Sequence, residues 1–360
     1  MRILYVTDPN TPLSKVAEVG ATLMPYELAK GIVKRGVDVD WLVVNDTGSD
    51  NVEGINIINL RYLGRLYQKK LYEKILSIID DYDLVHVNVS TPGFVKYLNK
   101  FESKHQYKIV FTMHTWTNSL AVSYYYKDDY RKLIEDSNVT VVCITESQRD
   151  MLFKKAGATP TKLGMSRFSI INNAVDEVEE CIPADQREDY IVAVGRCVAS
   201  KGIDKIITGC INSNQELYLV SPYWHKGEDS VYSYGIYELI ESAPEGLIHR
   251  EPSLPHDELM KVIAKAKAGV LYSTFDVFSM FLLECVMKHT KVYALRSGST
   301  SEVVDMFSDS RVEGFDNYRQ FINLLSKPCT VDEAPVDYWW KFDRMVQQYL
   351  SLYEIMSRFV

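Results

Sequence analysis

Ile191-Val192-Ala193-Val194-Gly195-Arg196-Cys197-Val198-Ala199-Ser200-Lys201-Gly202-Ile203-Asp204-Lys205-Ile206-Ile207 reads as a buried strand, a turn, and a helix opening near Gly202. The apolar run Ile191–Gly195 has no polar alternation, as expected of a parallel strand covered on both faces. Two cations, Arg196 and Lys201, fall just beyond its end. Fixed cations beside a helix N-terminus suit an anionic ligand, because the backbone donors of the first turn add to their charge. As a short motif alone, the same residues read rather as a pair of solvated loop charges.

Outward from this stretch the pattern repeats. Glu216–Ser221, Gly246–Ile248, Gly269–Tyr272 and Lys291–Leu295 read as further strands of the same sheet. Upstream, Ile3–Thr7, Val39–Asn45, Leu84–Asn88, Ile109–Met113 and Val139–Thr145 form an earlier series, with helical spacing in Met24–Arg35 and Leu66–Asp80. Alternating strands and helices imply doubly wound sheets. Asp176–Tyr190 holds Glu177, Glu179, Glu180, Pro183, Asp185, Glu188 and Asp189 with little apolar period, and reads as a linker. The expected organisation is therefore α/β: a Rossmann-like domain over 1–175, a linker over 176–190, and a second Rossmann-like domain over 191–335. The remaining 336–360, read as one amphipathic helix over Val336–Phe359, is expected to pack back on the first domain. Two such domains would face a central cleft at the carboxyl ends of their strands. Periplasmic binding proteins share this layout, so architecture alone does not decide function.

A second cluster, Phe275-Asp276-Val277-Phe278-Ser279-Met280-Phe281-Leu282-Leu283-Glu284-Cys285, bears two carboxylates eight positions apart. A helix beginning near Ser279 would aim the backbone N–H groups of Ser279, Met280 and Phe281 at a phosphate. Glu284 on its early turns would accept vicinal ribose hydroxyls, and Asp276 would reach a sugar hydroxyl. The plainer reading is an N-capping Ser or Asp followed by a surface Glu. Against it, Glu284 lies among apolar neighbours, where an unpaired carboxylate is costly. Two cations for a diphosphate and two carboxylates for hydroxyls match the parts of a nucleotide-sugar.

The same residues resemble the motifs of retaining GT-B glycosyltransferases of the glycogen-synthase-like, group 1 family. Gly195-Arg196 with Lys201-Gly202 is similar to the family's strand-G-R-x5-K-G segment, and Asp276 through Glu284 to its E-G-F-G-x4-E segment. Ile170-Ile171-Asn172-Asn173-Ala174-Val175-Asp176 resembles the family's I-x-N-G-V-D, and Ser301-Glu302-Val303-Val304 its later P-E-V-V. In the first half, Glu18-Val19-Gly20-Ala21 resembles a glycine-rich loop and Thr112-Met113-His114 a histidine-bearing strand end. Six segments in the family's order cover nearly the whole chain. Asp276 stands for the family's first Glu, Val277 and Ser279 for glycines, and Ala174 for another, so the chain is a divergent member of the pattern.

The resemblance implies a metal-independent, retaining sugar transfer with no cofactor beyond a nucleotide-sugar donor, UDP-glucose being the commonest. Arg196, Lys201, Asp276 and His114 would carry the chemistry; Glu284, Ser279, Met280, Phe281 and Gly20 would hold the donor. The acceptor would attack from the face the leaving diphosphate departs, with that phosphate as base. His114 reads equally as a structural histidine, and His86, without a matching motif, only as one.

The partner that accepts the sugar is suggested by charge. Arg61–Lys74 holds Arg61, Arg65, Lys69, Lys70 and Lys74 against Glu73, a local charge of +4 interleaved with Tyr62, Tyr67 and Tyr72. Tyr124-Tyr125-Tyr126-Lys127 forms a second cluster. Arg61, Arg65, Lys69, Lys70, Tyr124 and Tyr125 are thus candidates for an anionic or polymeric acceptor: DNA, a lipid surface or a glycan. A solvated amphipathic helix is the alternative. Hydroxymethylated DNA, as used by phage DNA α-glucosyltransferases of this fold, and a non-catalytic nucleotide-sugar-binding protein are the competing functions.

Composition narrows the field. At 360 residues two cores are expected, and a net charge of −8 excludes a protein that coats nucleic acid indiscriminately. The six cysteines, at 143, 181, 197, 210, 285 and 329, form no Cys-x-x-Cys pair, so neither zinc nor a disulfide framework is expected. No metal site, transmembrane segment or signal-peptide pattern is expected, and the location implied is cytoplasmic.

Overall fold

The computed structural model describes residues 1–7, 20–44, 51–61, 66–88, 91–114, 125–159, 161–175, 181–222, 228–307, 310–330 and 334–358. The chain forms two units, one of Met1–Asn173 with Asp343–Val360, the other of Ala174–Phe342.

In the first unit, β1 (Arg2–Thr7), β2 (Asp38–Val44), β3 (Asn51–Val52), β4 (Ile55–Leu60), β5 (Leu84–Asn88), β6 (Ile109–Met113), β7 (Thr140–Cys143) and β8 (Phe168–Ile170) make one sheet. Its order is β3-β4-β2-β1-β5-β6-β7-β8. Only the short β3–β4 pair is antiparallel among these strands. Every residue of β5 and β6 is buried, as expected of largely apolar strands covered on both faces, the buried His86, Asn88 and Thr112 being their polar residues. Tyr5 and His86 nevertheless lie in this sheet and are fully buried. Their polar atoms are satisfied by the helix Phe342–Ser357: Tyr353 Oη lies 2.9 Å from Tyr5 Oη and 2.6 Å from His86 Nδ1. His86 Nε2 lies 2.6 Å from Thr112 Oγ1, and Tyr349 Oη 3.3 Å from that same hydroxyl. A connected, buried polar network thus pins the last helix to the first sheet.

The second unit has β9 (Glu188–Val194), β10 (Glu216–Val220), β11 (Ile248–Glu251), β12 (Ala266–Leu271), β13 (Val292–Leu295) and β14 (Val312–Phe315), in the order β11-β10-β9-β12-β13-β14, all parallel. Counted from its first strand this is the doubly wound order 3-2-1-4-5-6, and it reverses between β9 and β12. Ile191, Ile207, Leu219, Val270, Phe315 and Phe321 belong to its buried core.

Four departures from the sequence reading have local causes. β11 begins at Ile248 because Gly246, at φ +77°, belongs to the preceding turn. β9 begins at Glu188, inside the stretch read as linker, which also contains a helical turn at Ala184–Gln186. The last helix begins at Phe342, not Val336, because Tyr338–Trp340 forms a separate turn capped by Asp337, and Trp340 stacks on Phe307 in the second unit at 4.3 Å. β4, β8 and β14, which were not anticipated, are short or only partly buried and carry little apolar signal. Phe359 and residues 176–180 lie outside the described residues.

Candidate functional site

The carboxyl ends of β9 and β12 flank the point where the second sheet reverses, and the chain leaves each into a loop bearing candidate residues. After β9, Arg196 is exposed, and its guanidinium takes no hydrogen-bond or ion-pair partner among the described residues. The turn Ala199–Lys201 follows and ends at Gly202, which has φ +60° and caps the helix Ile203–Ser213. A side chain at Gly202 would bring its Cβ to 2.6 Å from the Tyr272 carbonyl, so both conformation and contact demand glycine. This close approach lays the first loop against the loop that follows β12.

Hydrogen bonds fasten the two loops. The Ser200 carbonyl accepts from the Thr274 backbone N–H at 2.8 Å and from the Ser273 and Thr274 hydroxyls at 3.2 Å each. One consequence is that Lys201 Nζ lies 2.6 Å from Asp276 Oδ2, with both side chains about one-fifth exposed. Neither half of the sequence pattern contained this pairing.

The helix Met280–Met287 comes next. Ser279 caps it, its hydroxyl accepting from the Leu282 N–H at 3.3 Å. The Ser279 hydroxyl thus performs the capping task that the plainer reading gives it, and this side-chain bond does not engage the Ser279 backbone N–H that the phosphate reading uses. Leu283 N–H bonds the Ser279 carbonyl and Leu282 N–H the Ser279 hydroxyl, so Ser279, Met280 and Phe281 keep the N–H groups without an intrahelical acceptor. Glu284 is buried on this helix between buried Leu283 and Cys285. Its Oε1 lies 3.3 Å from His256 Nε2 at the start of the helix His256–Lys265. His256 was not anticipated, because no local pattern ties it to a residue 28 positions away.

In the first unit, Gly20 opens the helix Gly20–Val33 after β1, while Glu18 and Val19 lie outside the described residues. His114 follows β6, with Nε2 2.9 Å from Asn88 Oδ1 at the end of β5. Its Nδ1 is buried without a hydrogen-bond partner among the described residues. Burial lowers its pKa to about 4, and burial with the charge of His114 holds His86 well below the ordinary histidine range. Both rings are therefore neutral at pH 7. The structure engages His86 entirely in the network beneath the last helix.

The basic stretch divides. Lys69 and Lys70 lie on an exposed face of the helix Tyr67–Ile78, 3.7 and 2.8 Å from Glu73. Such solvated pairs contribute little to stability. Arg61 is exposed, Tyr125 is 73% exposed, and Arg65 and Tyr124 lie outside the described residues. Among the described residues no group of three His, Cys, Asp or Glu side chains could hold a metal, and no helix is long and apolar enough to cross a membrane.

Residues 20–179 match the family model Glycosyltransferase Family 4. Solved structures aligned over the whole chain are glycosyltransferases with the same paired-sheet architecture. The chain has the GT-B glycosyltransferase fold. Sucrose-phosphate synthase from Thermosynechococcus elongatus is 16% identical, with a TM-score of 0.71 and 100% of each chain covered. HepE of Anabaena, in complex with UDP and glucose, is 15% identical, with a TM-score of 0.72 and coverage of 99% of this chain and 100% of HepE. WaaG, a glycosyltransferase involved in lipopolysaccharide biosynthesis, is 14% identical with a TM-score of 0.63, covering 99% of this chain and 98% of WaaG. None of the curated proteins matches the chain by sequence. The family match on this GT-B chain ends at residue 179, so the residues that follow β9 and β12 lie beyond it.

Proposed function

We propose that this protein is a retaining glycosyltransferase that moves a sugar, glucose from UDP-glucose in the first instance, to an acceptor hydroxyl without a metal. The observation that carries this reading is the Lys201–Asp276 pair at the reversal point of the second sheet, beside the N-terminus of Met280–Met287. The ammonium has three donors. One holds Asp276, and the others are available to a phosphate oxygen. Asp276 keeps Oδ1 for a sugar hydroxyl, while Arg196 and the N–H groups of Ser279, Met280 and Phe281 meet the diphosphate. Glu284 receives the ribose.

Charge grows on the diphosphate as the sugar–phosphate bond breaks. Cations and amides held in place beforehand stabilise that charge more than they stabilise the bound donor, which lowers the barrier. The solved complex of HepE with UDP-glucose supports the choice of donor. The exposed basic helix supports an anionic polymer as acceptor.

A thermal-shift screen of nucleotide-sugars tests the donor: at a hundredfold the dissociation constant a true ligand stabilises by about 2.7 kcal/mol. A flat response across UDP-, ADP- and GDP-sugars would remove the reading. Product anomers assigned by NMR decide retention, and unchanged turnover in EDTA is expected. Mobility shifts with hydroxymethylated DNA, at low and high salt, separate that acceptor from lipid and glycan.

A further inference from the structure

The structure assigns His256 as a positioning residue that orients Glu284 toward two vicinal hydroxyls of a donor ribose. The inference rests on the ribose role proposed above for Glu284. His256 Nε2 lies 3.3 Å from Glu284 Oε1, within reach for an Nε2–H to donate to the carboxylate. The Glu284 side chain is only 11% exposed and its helix neighbours are buried. A carboxylate in such surroundings needs a donor, and His256 is the side chain that supplies one among the described residues.

His256 is also well placed to hold a fixed direction. It is the first residue of the helix His256–Lys265, directly after Pro255, whose ring restricts the approach of the chain. One oxygen of Glu284 is thereby anchored. Oε2 takes no partner among the described residues, and a carboxylate offers about four lone-pair sites. Anchoring Oε1 therefore fixes the carboxylate plane and still leaves acceptor sites for two hydroxyls. Were His256 a competitor for the site, it would have to occupy both oxygens, and it reaches one.

The test measures affinity for UDP, ADP and GDP and for their 3′-deoxy forms by calorimetry, in wild type, His256→Ala, His256→Gln and Glu284→Gln. Wild type is expected to prefer the ribonucleotide about tenfold or more, as hydrogen bonds to a charged acceptor do. His256→Ala should reduce this preference to about threefold or less, raise KM for the nucleotide-sugar and leave kcat at saturation unchanged. His256→Gln, whose amide nitrogen can stand where Nε2 stood, should recover much of the preference. Equal weakening of ribo and deoxy forms in a folded His256→Ala would mean packing alone, and overturns the assignment. So does tighter binding, which would make His256 a competitor. If Glu284→Gln abolishes the preference and His256→Ala does not, the positioning role fails alone. If Glu284→Gln leaves the preference intact, or wild type shows none, the ribose role fails and this inference with it.

Discussion

Lys201 Nζ and Asp276 Oδ2, contributed by loops 75 residues apart, lie 2.6 Å from each other at the reversal point of the second sheet. In the proposed reading a residue for the leaving group and a residue for the sugar thus balance one another before any donor arrives. Removing the lysine should lower turnover about a hundredfold, the usual scale for a donor aimed at developing negative charge. Asp276→Asn leaves Lys201 with a neutral partner, so UDP should raise the melting temperature of this variant more than that of wild type. Equal shifts would show that diphosphate and Asp276 do not share the ammonium.

Arg196 separates catalysis from stability. Its side chain is exposed and unpaired among the described residues, so Arg196→Ala should leave the melting temperature within about 1 °C, since surface changes cost within about 0.5 kcal/mol. Turnover should still fall about a hundredfold. Wild-type rates in the purified variant would remove Arg196 from the diphosphate site.

Ser279→Ala tests the capping role. Loss of the bond to Leu282 N–H should cost about 1 kcal/mol of stability in urea melts. The backbone N–H groups of residue 279, Met280 and Phe281 are retained, so the effect on nucleoside diphosphate affinity should be the smaller one. A large affinity loss at unchanged stability would put the Ser279 hydroxyl, and not only its backbone N–H, on the phosphate.

Acid should destabilise the first unit. His86 and His114 have folded pKa values below the ordinary value of about 6.5, the latter about 4, both through burial. The unfolded chain therefore binds more protons in this range, and stability is complete above about pH 6.5 and falls as pH drops from there toward 4 and below. Urea midpoints at pH 7.5 and pH 5 measure it. Midpoints that rise on acidification would contradict the neutral, buried state of both rings.

Lys69 and Lys70 carry the acceptor question. Replacing both with Glu changes the local charge of Arg61–Lys74 from +4 to 0 and abolishes both pairs with Glu73. Transfer to a polyanionic acceptor should fall at low salt, and slow donor hydrolysis should persist. Full transfer at every ionic strength would make this face a solvated one.

The sequence by itself determined the strands that are mostly apolar along their whole length. Ile109–Met113 and Leu84–Asn88 were legible to the residue because a strand covered on both faces needs no partner information to look apolar. β4 and β14 were not, since partial burial erases the pattern at the sheet edge, where β14 lies, and next to it, where β4 lies. The positions of Arg196, Lys201 and Asp276 just after strands were also legible, because loops at strand ends follow from the alternation itself. Which side chains meet was decided only by tertiary structure. Lys201 reaches Asp276 because β9 and β12 are neighbours, although two other strands lie between them in the chain. His256 reaches Glu284 across two helices, and Tyr353 reaches His86 over 267 residues. Periodicity is a property of one segment and reports only which face it buries. Pairing depends on strand order and on the close approach at Gly202, which exist only once separate segments have packed together.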